Sequence, residues 1–379
     1  MRSLSCVLRL AVLSSLYVTL SPSGAWATAS GVCDAVHVKQ RGKSLTVSPT
    51  GTDDTANLQC ALDRGTAAGP GATVNLTSGT FHTAQLRAFN FQGTLRGDGM
   101  NSTILENLPN LPVAAVDFFL EPPSAERPWP SLLAFIDGKF AVSDLAIHVE
   151  SKMGSEPTTG WSIFGLPPIK SLAHGFVVVG KKADARFSRV SVQGQPSDDW
   201  LFGVNLYNAI IFEGFGADFA PLAGSFTVRD SRLSGVQSGT PIANLKDAGV
   251  VILHNTFVDV QVAMDGGDLT DSTLTFVDNS VRSLVAGLDL ADVGIQAKGA
   301  SGSRLVIAAN RFAGASGPRV ELTFGDDVGC WLVLNDTSAV AGIGTYLGPG
   351  TKGCVVITQD PGSVVNDGTG NLVISGRRN

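Results

Sequence analysis

Apolar and polar positions recur in a fixed order across the middle of the chain. Five eight-residue segments each place apolar residues at their first and third positions and a Ser or Asn at their sixth. The segments are FTVRDSRL (226–233), VVILHNTF (250–257), LTFVDNSV (274–281), LVIAANRF (305–312) and CWLVLNDT (330–337). Apolar residues two positions apart predict strands that turn one face into a core.

The sixth positions of these segments are regularly spaced. Ser231, Asn255, Asn279, Asn310 and Asn335 follow one another at intervals of 24, 24, 31 and 25 residues, which is typical of the coils of a solenoid. A short polar residue after a strand tolerates a left-handed turn and can hydrogen-bond to its counterpart in the next coil. The pattern predicts an all-β chain folded as a single-stranded right-handed parallel β-helix. Two earlier segments, 140–147 and 185–192, fit the same template.

Residues 45–105 contain the most distinctive text of the chain. They resemble the N-terminal part of the pectate-lyase-like β-helix superfamily, the pectin lyase fold, in which a Gly-x-Asp-Asp-Thr turn leads into a capping helix. The matching positions are Gly51, Asp53, Asp54 and Thr55, helix-like Leu58, Gln59, Ala61 and Leu62, the strand Ala72 to Leu76, the turn Gly79-Thr80-Phe81, and the run Gly93 to Gly99 before Thr103-Ile104-Leu105. The resemblance implies the same fold, with a short N-terminal helix that Asp53, Asp54 or Thr55 can cap.

The first residues have the pattern of a secretory signal. Arg2 and Arg9 precede an apolar run that ends at Leu20, and a small-x-small sequence ends at Ala27. This pattern predicts a signal peptide over residues 1–27 and a secreted, extracellular or periplasmic protein. The apolar run is too short to span a membrane. Residues 28–379 are then expected to form one β-helix domain.

Four cysteines follow the predicted signal peptide: Cys33, Cys60, Cys330 and Cys354. Cys330 and Cys354 are 24 residues apart, which is one coil, and equivalent positions in stacked coils lie within reach of a disulfide. The repeat therefore predicts a Cys330–Cys354 bond, and Cys33 is left to pair with Cys60. Such bonds fit an oxidising compartment.

Three insertions interrupt the first half of the repeat, near 108–130, 151–172 and 195–224. Solenoid insertions become surface loops, and these three are expected to rise close together. They carry four aromatic residues that could stack on sugar rings: Trp129, Trp161, Trp200 and Tyr207. Packing of the loops against the coils is the alternative role of these side chains.

The charge pattern limits the range of partners. The net charge is −6 and only 16% of residues are charged, so the chain has no electrostatic footprint for nucleic acid. An extracellular polysaccharide is the partner that the resemblance implies.

The resemblance also implies a working groove along one parallel sheet, fenced by long loops. We expect this sheet just before each repeated segment, including 242–247, 261–266, 294–299 and 320–325. Strand alternation would turn four charged side chains of neighbouring coils onto one outer face. These candidate catalytic residues are Lys246, Asp265, Lys298 and Glu321.

The residue types favour a polysaccharide lyase. β-Elimination on a uronic polysaccharide needs a base, commonly Lys or Arg, and a group that neutralises the uronate, often Ca²⁺ held by acids. Lys246 or Lys298 is the candidate base. The candidate calcium ligands are Asp265, Asp268 and Asp271.

Two alternatives remain open. A glycoside hydrolase needs two carboxylates at a set separation, which Asp265 with Glu321, or Asp198 with Asp199, could supply. A mixed row of charges is also an ordinary solvated face, as expected of a non-catalytic β-helix for glycan binding or surface attachment. The chain lacks the set of Asn-Thr-Asp and Gly-His-Gly motifs of polygalacturonase-like members, which favours this second alternative.

One further column of charges accompanies the repeat. Asp230, His254 and Asp278 occupy equivalent positions, each just before the Ser or Asn. Because this column adjoins the turn rather than the expected groove, we interpret it as a structural ladder.

Overall fold

A computed structural model describes ten stretches of the chain: residues 33–108, 131–149, 172–195, 206–214, 220–283, 288–291, 303–314, 317–323, 329–336 and 342–376. The predicted signal peptide lies outside these residues, as does most of the predicted insertions at 108–130 and 151–172. The prediction of one loop over 195–224 was wrong in part, because this range contains the strand Leu206–Glu213 and the start of the strand Leu222–Arg229.

The described residues form 26 strands, one α-helix, α1 (Thr55–Ala68), and a short 3-10 helix, Pro361–Ser363. The strands in chain order are β1 (Val38–Arg41), β2 (Ser44–Val47), β3 (Ala72–Leu76), β4 (Gly79–Thr83), β5 (Leu86–Phe89), β6 (Gly93–Arg96), β7 (Thr103–Asn107), β8 (Ser131–His148), β9 (Leu172–Gln193), β10 (Leu206–Glu213), β11 (Leu222–Arg229), β12 (Arg232–Ser234), β13 (Ile242–Leu253), β14 (Thr256–Val260), β15 (Met264–Thr270), β16 (Thr273–Val277), β17 (Ser280–Ser283), β18 (Leu288–Ala291), β19 (Arg304–Ala308), β20 (Arg311–Ala313), β21 (Val320–Thr323), β22 (Gly329–Val333), β23 (Thr345–Leu347), β24 (Val355–Thr358), β25 (Val364–Asn366) and β26 (Leu372–Ser375).

All strands except β1, which pairs antiparallel with β2, stack as three parallel sheets. Sheet A contains β5, the first parts of β8 and β9, β10, the first part of β13, β15, β18, β21, β23 and β25. Sheet B contains β2, β3, β6, the middle of β8 and β9, β11, the end of β13, β16, β19, β22, β24 and β26. Sheet C contains β4, β7, the ends of β8 and β9, β12, β14, β17 and β20. The chain passes through A, B and C in turn, and the architecture is the predicted right-handed parallel β-helix.

The register of sheet B confirms the repeat. Strand pairing places the third residues of the five segments directly above one another, with the last two coils continuing the column. The column is Val228, Ile252, Phe276, Ile307, Leu332, Val356 and Val373. The first six of these side chains are buried in one continuous core. The spacing of apolar residues in the sequence therefore predicts which side chains face the core.

Helix α1 closes the N-terminal end of the solenoid, as the resemblance implied. Its buried residues include Leu58, Ala61 and Leu62, which pack into the core formed by the first coils. Asp53 Oδ1 accepts the backbone N–H of Thr55 at 2.9 Å, so Asp53 satisfies one of the free amides of the first helical turn.

Both predicted disulfides are present. Cys330 and Cys354 lie in adjacent coils with their Cα atoms 4.5 Å apart, and Cys33 is bonded to Cys60 of α1 with a Cα separation of 5.6 Å. The second bond ties the N-terminal segment to the capping helix. The first bond links coils near the opposite end of the solenoid.

The corner between sheets B and C carries the predicted ladder. Ser231, Asn255, Asn279 and Asn310 each donate a backbone N–H to the side-chain oxygen of the next residue in the column, at 2.8 to 3.1 Å. The Nδ2 atoms also donate to strand carbonyls, as from Asn279 to Ile252 O at 3.0 Å. The ladder thus satisfies buried polar groups at every turn of this corner.

The left-handed residue of this corner is not the ladder residue, contrary to our expectation. It is the residue just before, in all the coils whose corner follows the template. The left-handed positions, with φ between 49° and 59°, are Asp144, Arg189, Asp230, His254, Asp278, Ala309 and Leu334. The turn at that position leaves the Asn side chain aimed along the solenoid axis, where it can reach the next coil.

Candidate functional site

Three acidic positions share one column on sheet A. Strand register places Asp265 beside Asp289, Asp289 beside Glu321, and Glu321 beside Tyr346. The neighbouring Met264, Val320, Leu322 and Leu347 are buried in the core, so alternation places Asp265 and Glu321 on the outer face. We name positions Asp265, Asp289 and Glu321 the acidic column.

The acidic column has a regular spacing. Adjacent strands of a sheet lie about 4.8 Å apart, so Asp265 and Glu321, two coils apart, have backbones separated by about 10 Å. Both side chains are partly exposed. Sequence reasoning missed Asp289, although the alternation of LDLA (288–291) is the signal that could have found it.

Neighbouring hydroxyl groups flank the acidic column. Ser238 Oγ donates to Asp265 Oδ1 at 2.7 Å, and the Tyr346 hydroxyl donates to Asp367 Oδ2 at 3.1 Å. Desolvation, the hydrogen bond to Asp367, and the charges of Asp367 and Glu321 raise the pKa of Tyr346. Tyr346 therefore remains a neutral hydrogen-bond donor beside Glu321.

A buried histidine, His174, lies in sheet A in the same row as Ser238. Pairing places Ser131, His174, Asn208 and Ser238 in successive coils, and Asn208 Nδ2 lies 3.0 Å from His174 Nδ1. Burial lowers the pKa of His174 to about 3. The imidazole is consequently neutral at physiological pH, and a polar row leads from it through Asn208 and Ser238 toward Asp265.

The outer face of sheet A is apolar in the earlier coils. Ala134, Ile136, Val177, Val179 and Ile211 form a buried cluster that is separate from the main core. They alternate with inward Phe135, Val178 and Phe212, and they are at most 6% exposed. This part of the outer face is therefore covered, and the partly exposed face begins in the coils that carry the acidic column.

The structure does not bring Lys246 to the acidic column. Lys246 is paired in register with Thr270, five positions along the strand from Asp265, which corresponds to about 16 Å. The expected strand at 294–299 lies outside the described residues, and the described strand that pairs with β15 in sheet A is β18, Leu288–Ala291. Lys298 itself lies outside the described residues. Of the four predicted catalytic residues, Asp265 and Glu321 are the two that share a column.

The calcium candidates are spread along one strand. Asp265 stands near the start of β15 and Asp271 follows its end, about 20 Å away in extended chain, and the side chain of Asp268 lies outside the description. Among the described residues no group of three or more His, Cys, Asp or Glu side chains is arranged to hold a metal. Asp265 and Asp271 are thus not placed to share one ion.

The predicted loops are anchored next to one another. The described chain stops after Leu108, Val149 and Gln195, at the end of sheet C each time. It resumes at Ser131, Leu172 and Leu206, at the start of sheet A. Trp129, Trp161 and Trp200 lie outside the described residues. Tyr207, in β10, is partly exposed and lies next to Asn208.

The Asp230, His254 and Asp278 column lies at the corner of sheets B and C, away from sheet A. His254 Nδ1 is 3.6 Å from Asp230 Oδ1 and its Nε2 is 3.3 Å from Asp278 Oδ2. The column continues to Arg189, which bonds Asp144 at 2.6 and 2.9 Å. Carboxylates alternate with the basic side chains of Arg189 and His254 along the axis, which agrees with a structural ladder.

Comparison with known proteins finds similar solved structures at low sequence identity. No family model and no curated protein matches the chain. Among solved structures, the polygalacturonase of Erwinia carotovora ssp. carotovora has 11% identity over 89% of this chain and 96% of its own, with a TM-score of 0.46. PfbA, a surface adhesin of Streptococcus pneumoniae, has 12% identity over 86% and 89%, with a TM-score of 0.46. The mannuronan C-5 epimerase AlgE6 A-module of Azotobacter vinelandii has 12% identity over 86% and 96%, with a TM-score of 0.39.

The strand pairing of the chain itself defines a parallel β-helix, which agrees with the resemblance of its N-terminal residues. In the described part of the chain, no helix has the length and apolar character needed to cross a membrane.

Proposed function

We propose that this protein is a secreted carbohydrate-active β-helix that hydrolyses an extracellular polysaccharide on the outer face of sheet A. The observation that carries the proposal is the placement of Asp265 and Glu321 in one outward column, two coils apart. One carboxyl group would protonate the leaving oxygen while the other activates water. The two disulfides fit the oxidising compartment that secretion requires.

The spacing favours the inverting form of this reaction. Inverting hydrolases hold their carboxyl groups about 6.5 to 9.5 Å apart, whereas retaining ones hold them about 5 Å apart. The backbones of Asp265 and Glu321, about 10 Å apart, leave room for carboxyl groups at the wider separation. Ser238 Oγ donates to Asp265 Oδ1 and holds that carboxyl group in place, and we assign Asp265 as the base and Glu321 as the acid.

Hydrolysis replaces the lyase mechanism that the residue types favoured. A lyase needs its cationic base beside the groups that neutralise the uronate. Lys246 is five positions from the Asp265 register and belongs to the other end of its strand. The acidic column supplies carboxylates alone, which suit glycosidic hydrolysis better than proton abstraction by Lys.

A panel of neutral and uronic polysaccharides tests this proposal. Hydrolysis releases reducing ends, whereas β-elimination also produces the ultraviolet absorbance of an unsaturated uronate, and each reaction is followed with and without Ca²⁺. We expect reducing ends without that absorbance and inversion at the anomeric carbon. Retention would contradict the Asp265 and Glu321 pair. Binding without any product would contradict catalysis and favour a non-catalytic glycan-binding β-helix.

A further inference from the structure

A solvent-open pocket lies at the corner between sheets A and B, in the coils formed by β5, β8 and β9. Its volume is about 400 Å³, which lies within the usual range of small-molecule pockets. Its lining residues come from three successive coils and are Asn90, Gln92, Asp137, Gly138, Lys139, Lys181, Lys182 and Asp184. We call it the corner pocket. None of these residues belongs to the acidic column.

Three lysines give the corner pocket its chemistry. Lys139, Lys181 and Lys182 are exposed, and they form no ion pair with any described carboxylate. An ammonium group is a compact, strongly hydrated charge with three donors. Three of them around one cavity favour a ligand that carries negative oxygen atoms.

The two acids of the pocket are already engaged by the backbone. Asp137 Oδ1 accepts the N–H groups of Lys181 and Lys182 at 2.7 and 2.9 Å, and Asp184 Oδ1 accepts the N–H of Ser225 at 3.2 Å. Peptide dipoles therefore offset part of each negative charge. With three lysines and two acids, the lining of the corner pocket keeps a net positive charge.

The walls of the corner pocket are built before any ligand arrives. Asn90 and Asp137 are left-handed, with φ of 49° and 55°, and Asn90 N–H bonds Ile136 O at 2.8 Å while Lys139 N–H bonds Phe91 O at 3.0 Å. Gly180, with φ of 126°, lies against Asp137 so closely that a Cβ atom would overlap the carboxylate. Turns held in this way cost little further ordering when a ligand binds.

We infer that the corner pocket binds an oxyanion group, sulfate or carboxylate, carried by an acidic glycan. The identity of the carrier rests on the proposed function, whereas the anion site rests on the lysines alone. The pocket lies three coils from Asp265, or about 15 Å along the axis. An acidic polysaccharide held there would be retained at a distance from the acidic column, whose carboxylates would otherwise repel it.

Titration of the full-length protein tests the anion site. The probes are inorganic sulfate, an oligomer of a uronic acid, a sulfated oligosaccharide and a neutral oligosaccharide, each followed by calorimetry and by salt dependence. We expect Lys181→Ala/Lys182→Ala to weaken binding of the charged probes by about tenfold or more. The exposed pair Lys39→Ala/Arg41→Ala, in β1, is the matched control and should leave binding unchanged.

A second variant moves the affinity in the opposite direction. Asp137→Asn keeps the Oδ1 acceptor for Lys181 and Lys182 but removes the negative charge, so it should tighten binding of the charged probes severalfold. Unchanged affinity in both variants would overturn the anion site. Binding of inorganic sulfate at the pocket, with no binding of the uronic oligomer or the sulfated oligosaccharide, would support the anion site and contradict an acidic glycan as its ligand. Catalysis that depends on Asp265, in a protein whose affinity for the charged probes is unchanged by the lysine substitutions, would retain the proposed function and reject the pocket.

Discussion

The backbone N–H of Asn255 and its side-chain Nδ2 both donate to Oδ1 of Asn279 in the next coil, at 2.8 and 3.1 Å. One amide oxygen thus accepts two hydrogen bonds from a single residue of the neighbouring coil. Both side chains are at most 2% exposed. The relationship is repeated between Asn279 and Asn310, so the buried corner has no need of water.

Removing an inner ladder residue should destabilise the fold. In Asn279→Ala the buried N–H of Asn255 and the carbonyl of Ile252 lose their partners, which should lower the free energy of unfolding by about 3 kcal/mol. Urea unfolding followed by circular dichroism measures the change. Asn335→Ala, at the partly exposed end of the ladder, is the control and should cost less. Equal effects of the two variants would count against the role of burial.

The Cys330–Cys354 bond should contribute to stability independently of the ladder. It closes a segment with a sequence separation of 24 residues, for which loss of the cross-link should cost about 3 kcal/mol. The double variant Cys330→Ser/Cys354→Ser, compared with the wild type in urea, measures this cost. A wild type that reducing agent does not destabilise in the unfolding experiment would contradict the expectation.

Stability should fall on the acid side of neutrality because of His174. Its pKa is about 3 in the folded protein and about 6.5 in an unfolded chain. Between these values the unfolded state binds a proton that the folded state does not. The free energy of unfolding should therefore decrease as pH falls below about 6.5, by up to about 1.4 kcal/mol per pH unit.

The His174→Gln variant removes this titration while it keeps a polar side chain. Urea unfolding at several pH values between about 4 and 8 should show a shallower acid slope in the variant than in the wild type. Equal slopes would mean that another group controls the acid response.

Substitution of the acidic column should separate catalysis from folding. Asp265→Asn and Glu321→Gln should each reduce turnover of the polysaccharide by about 10² to 10⁴, because each removes one partner of an acid and base pair. Lys246→Ala should leave turnover within about twofold, since Lys246 lies outside the column. Full activity in Glu321→Gln, or a large loss in Lys246→Ala, would reject the hydrolytic assignment.

The ladder could be predicted because a Ser or Asn recurs at the same position of each repeated segment. An Asn after each strand in successive coils has few uses other than bonding its neighbours, and the inward apolar positions follow from the same register. The left-handed residue was harder to identify. Asp230 and Asp278 are typical of that conformation, whereas Ala309 and Leu334 are not, so their φ values depend on the stacking of whole coils.

The site could be predicted only in part, because the coils differ in length. The coil between Asn279 and Asn310 is longer than its neighbours, and the sequence does not say where the extra residues fall. They follow β18, so the strand occupies Leu288–Ala291 and brings Asp289, rather than Lys298, into register with Asp265. The corner pocket is lined by residues from positions 90 to 184. No local sequence pattern predicts that these residues lie close together.

The ladder at the corner of sheets B and C also allows the length of the solenoid to change by whole coils. Each Asn presents the same oxygen to the coil before it and the same donors to the coil after it, so an added or deleted coil finds an identical docking surface. The described chain runs without a gap through this corner from Phe226 to Arg232 and from Val250 to Thr256. The solenoid can therefore lengthen in unit steps of about 4.8 Å wherever the ladder continues.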